Sequence, residues 1–258
     1  SYLFSYIILA VYTFFILALQ FWYIKREYNK LYSDDKMMLL IILLNFICII
    51  STRTLAFISP FLMPVACSAI LMTVLLDYKL SIIINSLNIA RLSVVVWFNA
   101  QVIIVSLVVT LLVSILLKRV KGRNEIIYTT IYIVIAAAIV TLTSEILTSN
   151  NIRRIISNML ICSSGTMISG VLALGLLPFL ESTFDVLTNS KLLELINPNS
   201  PLLKRLLMEA PGTYHHSVMV ANLAEVSAEA VGANPVLARV GAYYHDVGKI
   251  KRPFFFGE

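Results

Sequence analysis

The chain has 258 residues, 59% hydrophobic and only 13% charged, with a net charge of +6 and a mean hydropathy of +0.88. A soluble domain carries nearer a quarter charged residues, so the composition excludes an ordinary water-soluble protein. No basic stripe with interleaved aromatics occurs, which argues against nucleic acid as a partner.

Apolar runs of about 20 residues, the length that crosses a bilayer, recur from the first residues to Leu180. The chain starts at Ser1 and enters a hydrophobic helix almost at once, which reads as a cut or processed start rather than a signal peptide. The first span is Tyr2–Ile24, closed by Trp22 and Tyr23 and followed by Lys25, Arg26 and Lys30, as at a membrane interface. Asp34, Asp35 and Lys36 precede a second span, Met37–Phe57. Pro60 and Pro64 open a third, Ser59–Leu76, since proline is tolerated in a first turn.

After the polar break Asp77-Tyr78-Lys79, Leu80 to Leu117 forms one apolar stretch of 38 residues. As a single helix it would run about 57 Å, nearly twice a hydrocarbon core of about 30 Å. It is therefore split into two spans near Trp97–Gln101, with a turn so short that residues are expected to be missing there. The first half carries Asn85, Asn88 and Arg91, which need helix partners or an interface. The sixth span is Ile126–Leu147 and the seventh Ile156–Leu180, the latter with Gly165, Gly170 and Gly175 as small packing residues. Arg53, Arg91 and Glu145 are expected near helix ends with their charges snorkelling to the interface, the alternative being intramembrane functional charges. Cys48, Cys67 and Cys162 sit in apolar runs without Cys-x-x-Cys spacing and read as small apolar residues.

Seven spans place the loops at 25–36, 77–79 and 118–125 on the side of the C-terminus. They hold Lys25, Arg26, Lys30, Lys36, Lys79, Lys118, Arg119, Lys121 and Arg123, against Arg153 and Arg154 opposite. The excess predicts a cytoplasmic C-terminal region and Ser1 outside.

Past Leu180 the character changes. Lys191–Ile196 is a short amphipathic turn or helix; Ser200 caps and Pro201 starts a helix through Met208. Thr213 is expected to cap a helix over Tyr214–Val231, ended by Gly232; Asn234 and Pro235 open the next, which reaches His245. All three histidines lie here: His215, His216 and His245, the last followed by Asp246. His216 is placed in a first turn and His245-Asp246 at the far end of an antiparallel neighbour, so the three side chains converge. Imidazole nitrogens with a carboxylate suit Mn, Fe, Co or Zn. A carboxylate can bridge two metals, as in-line phosphoester hydrolysis requires. Gly248 is read as letting the chain turn so that Lys249 aims its ammonium at a phosphate. A His-Asp dipeptide arises often by chance, but the partner histidine, the capped helices and Gly-Lys together point to a metal site. His215, Tyr243 and Tyr244 are read as packing residues, Glu225 and Glu229 as a solvated helix face.

The text Asn197-Pro198-Asn199, Glu209-Ala210-Pro211-Gly212-Thr213-Tyr214-His215-His216-Ser217, Gly232-Ala233-Asn234-Pro235 and Gly241-Ala242-Tyr243-Tyr244-His245-Asp246 resembles the seven-transmembrane HD phosphohydrolases of bacteria. The likeness is strong from about Gly170 to Pro253 and loose before. It implies an all-α fold: a polytopic bundle of about seven spans over residues 1–180, then the first helices of an HD domain over 181–258. It also implies a large extracellular domain with an unknown ligand ahead of the spans, and further metal ligands past Glu258. Carried over residue by residue, the metal ligands are His216 (not His215), His245 and Asp246; with Lys249 as read above, the candidate catalytic residues are Asp246 and Lys249. Two divalent transition metals, manganese or iron, are the implied cofactors. The implied reaction is hydrolysis of cyclic di-AMP to pApA by a membrane-anchored phosphodiesterase. With no fourth histidine to complete a dinuclear set, this chain alone is expected to be inactive. A receptor whose HD domain transmits a signal without turnover is the alternative; a transporter is disfavoured, and the oligomeric state, a homo-oligomer included, stays open.

Overall fold

The computed structural model describes residues 2–118, 120, 122–252 and 255. Ser1, Arg119, Lys121, Pro253 and Gly257–Glu258, on which some expectations above fall, lie outside the described residues. Among those described, every regular element is a helix. The chain divides into two compact units, Ser1–Val186 and Leu187–Glu258.

The first unit contains α1 (Tyr2–Glu27), the single turn α2 (Asn29–Tyr32), α3 (Asp35–Ala56), α4 (Val65–Leu75), α5 (Tyr78–Leu92), α6 (Ala100–Leu116), α7 (Arg123–Thr148) and α8 (Ile152–Thr183). Four of these, α1, α3, α7 and α8, are long and apolar enough to cross a membrane. Their starts follow from local chemistry. Asp34, Asn99 and Asn151 each accept two backbone N–H groups of the following first turn, and Asp77 does the same for α5. These caps satisfy donors that a helix start leaves orphaned.

The middle of the unit departs from the expected spans. Ser59–Leu76 is a 3-10 turn, Pro60–Leu62, followed by α4 of only 11 residues. Pro64 holds Met63 extended (φ −65°, ψ 122°), so the helix restarts only at Val65. At about 16 Å, α4 reaches half-way through a hydrocarbon core. It is nonetheless the centre of the unit: ten of its residues are buried, against α3, α5, α6 and α8. The stretch after Leu80 does break before Gln101, between α5 and α6. A tight turn over 93–98 reverses direction by placing Trp97 and Phe98 at φ 53° and 55°. Both rings are exposed, as at an interfacial belt.

Asn85 and Asn88 find helix partners, as their position in a span demands. Asn85 Nδ2 donates to the Ser81 carbonyl (2.9 Å), and its Oδ1 accepts from Ser68 (2.8 Å). Arg53 fits the snorkelling expectation, exposed at the end of α3 with its guanidinium over Phe57. Glu145 does not: it is fully buried, accepts from Asn158 Nδ2 (2.9 Å) and lies 3.8 Å from Arg154 Nε. Nor does Arg91, which is 6% exposed and turned inward onto Asn88. A polar partner on its own helix, one turn back, outcompetes the interface. The three cysteines are free and buried.

In the second unit α9 (Asn189–Leu195), α10 (Pro201–Glu209), α11 (Pro211–Ala230) and α12 (Pro235–Tyr244) are followed by a 3-10 turn, Val247–Lys251. Leu203, Leu206, Ala210, Ala221, Tyr243 and Ile250 form its core. Helix α11 starts at Pro211, not after Thr213: proline occupies the first helical position, and the Thr213 side chain is buried. Ser200 precedes α10 without a side-chain cap bond. The turn between α11 and α12 follows expectation closely. Gly232 takes φ +72°, its N–H bonds to Glu229 O and that of Ala233 to Ala228 O, the two bonds of a Schellman cap. Asn234 then caps α12 by accepting from Leu237 N.

The three glycines of α8 are not equivalent. A Cβ at Gly170 would fall 2.3 Å from Thr130 Cγ2 on α7, and one at Gly165 would meet the Leu62 backbone at 2.9 Å, whereas Gly175 faces open space. Gly170→Ala should therefore lower stability by about 1–3 kcal/mol while Gly175→Ala, unobstructed in a helix interior, should keep or slightly raise it, as read by thermal unfolding of the detergent-purified protein. Equal effects at both positions would contradict this packing.

Candidate metal centre

The second unit brings His216, His245 and Asp246 together. One donor atom from each lies within 4.8 Å of the others. His216 sits in the second turn of α11, rather than the first, because that helix begins at Pro211. His245 is the C-cap of α12, and Asp246 leads into the 3-10 turn. The two imidazole rings are 5.5 Å apart and inclined at 56°.

The hydrogen bonds orient the donors. His245 Nδ1 lies 2.7 Å from the carbonyl of Ala242. A carbonyl only accepts, so Nδ1 carries a proton and Nε2 is the free donor atom. That Nε2 lies 3.3 Å from Asp246 Oδ2. A lone pair facing a carboxylate oxygen calls for a cation between them, a proton on Nε2 or a metal ion. Two donors on one metal at about 2.1 Å each are separated by roughly 3.0–3.4 Å, so the spacing fits a shared ion. Lys249 Nζ contacts the same Oδ2 at 2.7 Å. Its ammonium holds the Asp246 carboxyl below the usual carboxylate range, with His245 and His216 adding to the effect and desolvation opposing it. Asp246 is thus ionised at neutral pH, as a ligand must be. Both histidines are exposed and the aspartate is half-buried, so the donors are reachable from water.

His215 stays out of the cluster, exposed with its ring edge-on to Tyr214. Tyr243 is buried in the core, and Tyr244 donates its hydroxyl to Leu195 O. Glu229 is exposed, but Glu225 is half-buried and paired with Arg239 at 2.7 Å. That ion pair ties α11 to α12, and the solvated-face reading of Glu225 is corrected accordingly. Gly248 needs no glycine-specific backbone, since only Gly232 has a positive φ among the described glycines. Lys249 reaches Asp246 through the three-residue spacing of the 3-10 turn instead. The Ala242 carbonyl escaped sequence reasoning. Its signal was the spacing of three residues before a helix-ending histidine.

Comparison with known proteins matches residues 3–188 to the family described as 7TM receptor with intracellular HD hydrolase, and residues 213–256 to the HD domain. The chain is 35% identical, over 95% of its length, to the cyclic-di-AMP phosphodiesterase PgpH of Bacillus subtilis, of which it covers 36%. It is 59% identical over 34% of its length to PgpH of Listeria monocytogenes, covering 12% of that protein. An uncharacterised Synechocystis protein is 51% identical over 34% of the chain, covering 11% of its own length. The chain thus spans little more than a third of the first of these relatives. No solved structure matches it.

The grip of Lys249 on Asp246 is measurable. In the metal-free protein Lys249→Met should raise the Asp246 pKa toward the ordinary carboxylate value, followed by carboxyl-carbon NMR. An unchanged titration would show that the ammonium does not set the charge of this group.

Proposed function

Because the chain belongs to the family of 7TM receptors with an intracellular HD hydrolase, we propose that its full-length product is a membrane-anchored phosphodiesterase that hydrolyses cyclic di-AMP to pApA. The observation that carries this is the convergence of His216, His245 and Asp246 within the segment that matches the HD domain. The names of the Bacillus and Listeria relatives supply the substrate.

Residues 1–180 are assigned to the membrane domain and 181–258 to the start of the HD domain, on the cytoplasmic side, with Ser1 outside. His216, His245 and Asp246 would hold divalent transition metals, two of them, manganese or iron. Bound there, such ions supply an acidified water nucleophile and charge stabilisation for a phosphoryl group. The protein's own groups prepare the place. Ala242 O fixes the His245 tautomer and ring angle. Asp246 provides two oxygens already ionised, and Lys249 adds positive charge where the substrate's anionic phosphodiester would approach. The receptor description of the family supports a second role alongside the first, with an extracellular ligand tuning hydrolysis through the helices.

In this chain two of the three histidines reach the cluster and the third, His215, stays outside it, so the residues named here make up one ion's donors and not two. The test is chromatography of cyclic di-AMP incubated with manganese. The gene's full-length product should release pApA, Asp246→Ala should cut the rate at least about a hundredfold, and the 258-residue chain should release none. No product from folded, metal-loaded full-length protein would overturn the proposal.

A further inference from the structure

The first unit contains a cavity of about 270 Å³ between α1 and α3, floored by α5. Its walls include Phe21, Ile42 and Phe46, which are 43%, 48% and 58% exposed, so the cavity opens sideways to where lipid lies. Its polar end is Gln20, Asn45 and Arg91. Asn45 stands ten residues after the start of α3, about 15 Å along it, near the middle of a hydrocarbon core of about 30 Å.

Arg91 is 6% exposed. Its Nη2 donates to Asn88 Oδ1 at 2.7 Å, and that oxygen also accepts from Gln20 Nε2 at 2.9 Å. Asn88 Nδ2 in turn donates to Asn45 Oδ1 at 2.6 Å. The nearby amide oxygens of Asn88 and Asn45 are thus engaged, while Arg91 Nε is buried with no hydrogen-bond partner. Among the described residues no carboxylate pairs with Arg91. The C-terminal dipole of α5 offsets part of its charge. A guanidinium at this depth still lacks a counter-charge, and such groups mark ligand sites.

We propose that this groove binds a single-chain amphiphile with a carboxylate head, of the long-chain fatty acid class. One carboxylate neutralises one guanidinium and accepts from its free N–H groups; a doubly charged phosphate monoester would leave net negative charge in hydrocarbon. The volume, at the small end of ligand pockets, takes a head group and part of one chain rather than a two-chain lipid. The rest of the chain runs out between α1 and α3 into the bilayer.

The protein in nanodiscs is heated with palmitoleate, or with the alcohol of the same chain, at pH 8. Palmitoleate should raise the unfolding midpoint by about 3 °C or more, the alcohol should not, and Arg91→Gln should abolish the rise. A second variant, Ile42→Trp, fills the groove from its lipid side without touching the Arg91 hydrogen bonds, and should abolish the rise also if Arg91→Gln does not fold. An equal rise with the alcohol, no rise in the unaltered protein (as when a second copy already closes the groove), or a rise that survives either folded variant would overturn the proposal.

Discussion

The left-handed turn at Gly232 decides whether the three candidate metal donors meet at all. His216 and the His245-Asp246 pair are separated by 29 residues, and only the reversal between α11 and α12 brings them together. Gly232 makes that reversal at φ +72° with both Schellman bonds formed. A side chain there would cost about 1 kcal/mol or more in backbone strain. Asn234 and Pro235 then set the start of α12, and the Arg239–Glu225 pair binds the two helices across the turn. The ends are therefore positioned by backbone chemistry and not by the donors themselves, whose attraction is weak without a cation.

The charge distribution around Asp246 follows from this placement. One carboxylate oxygen meets an imidazole nitrogen and an ammonium, at 3.3 and 2.7 Å. The ammonium keeps the acid ionised, and the Ala242 carbonyl keeps the imidazole lone pair turned toward it. An electron-rich pair is thus held open to water beside a standing positive charge. That combination suits a cation, in a chain that belongs to the family of 7TM receptors with an intracellular HD hydrolase.

Much of this was legible in the sequence, where chemistry is local. The cap at Asn234, the glycine stop at Gly232 and the break before Gln101 are set by residues next to one another. The errors arose where two local signals compete or where packing decides. Thr213 and Pro211 both mark a helix start, and proline at the first position won, moving His216 one turn inward. Pro64 shortened α4 far below a full span, yet burial on all sides made it the core helix. Arg91 reads as a snorkelling end residue, and nothing within α5 alone reveals that Gln20 of α1 and Asn45 of α3 meet at Asn88 beside it. Such long-range polar contacts leave no periodic trace. At the site, the His-Asp pair and its distant partner were legible, while the roles of Glu225 and the Ala242 carbonyl depended on three-dimensional placement.

The central claim is that His216 and His245, and not His215, are donors to one centre with Asp246. With only three histidines in the chain, histidine-selective nitrogen-15 labelling resolves each ring, and one equivalent of zinc serves as a diamagnetic probe. The imidazole nitrogens of His216 and His245 should move strongly, including Nε2 of His245, while those of His215 stay in place and Asp246→Ala weakens the response. A shift confined to His215, or none at any ring of the folded protein, would contradict the assignment.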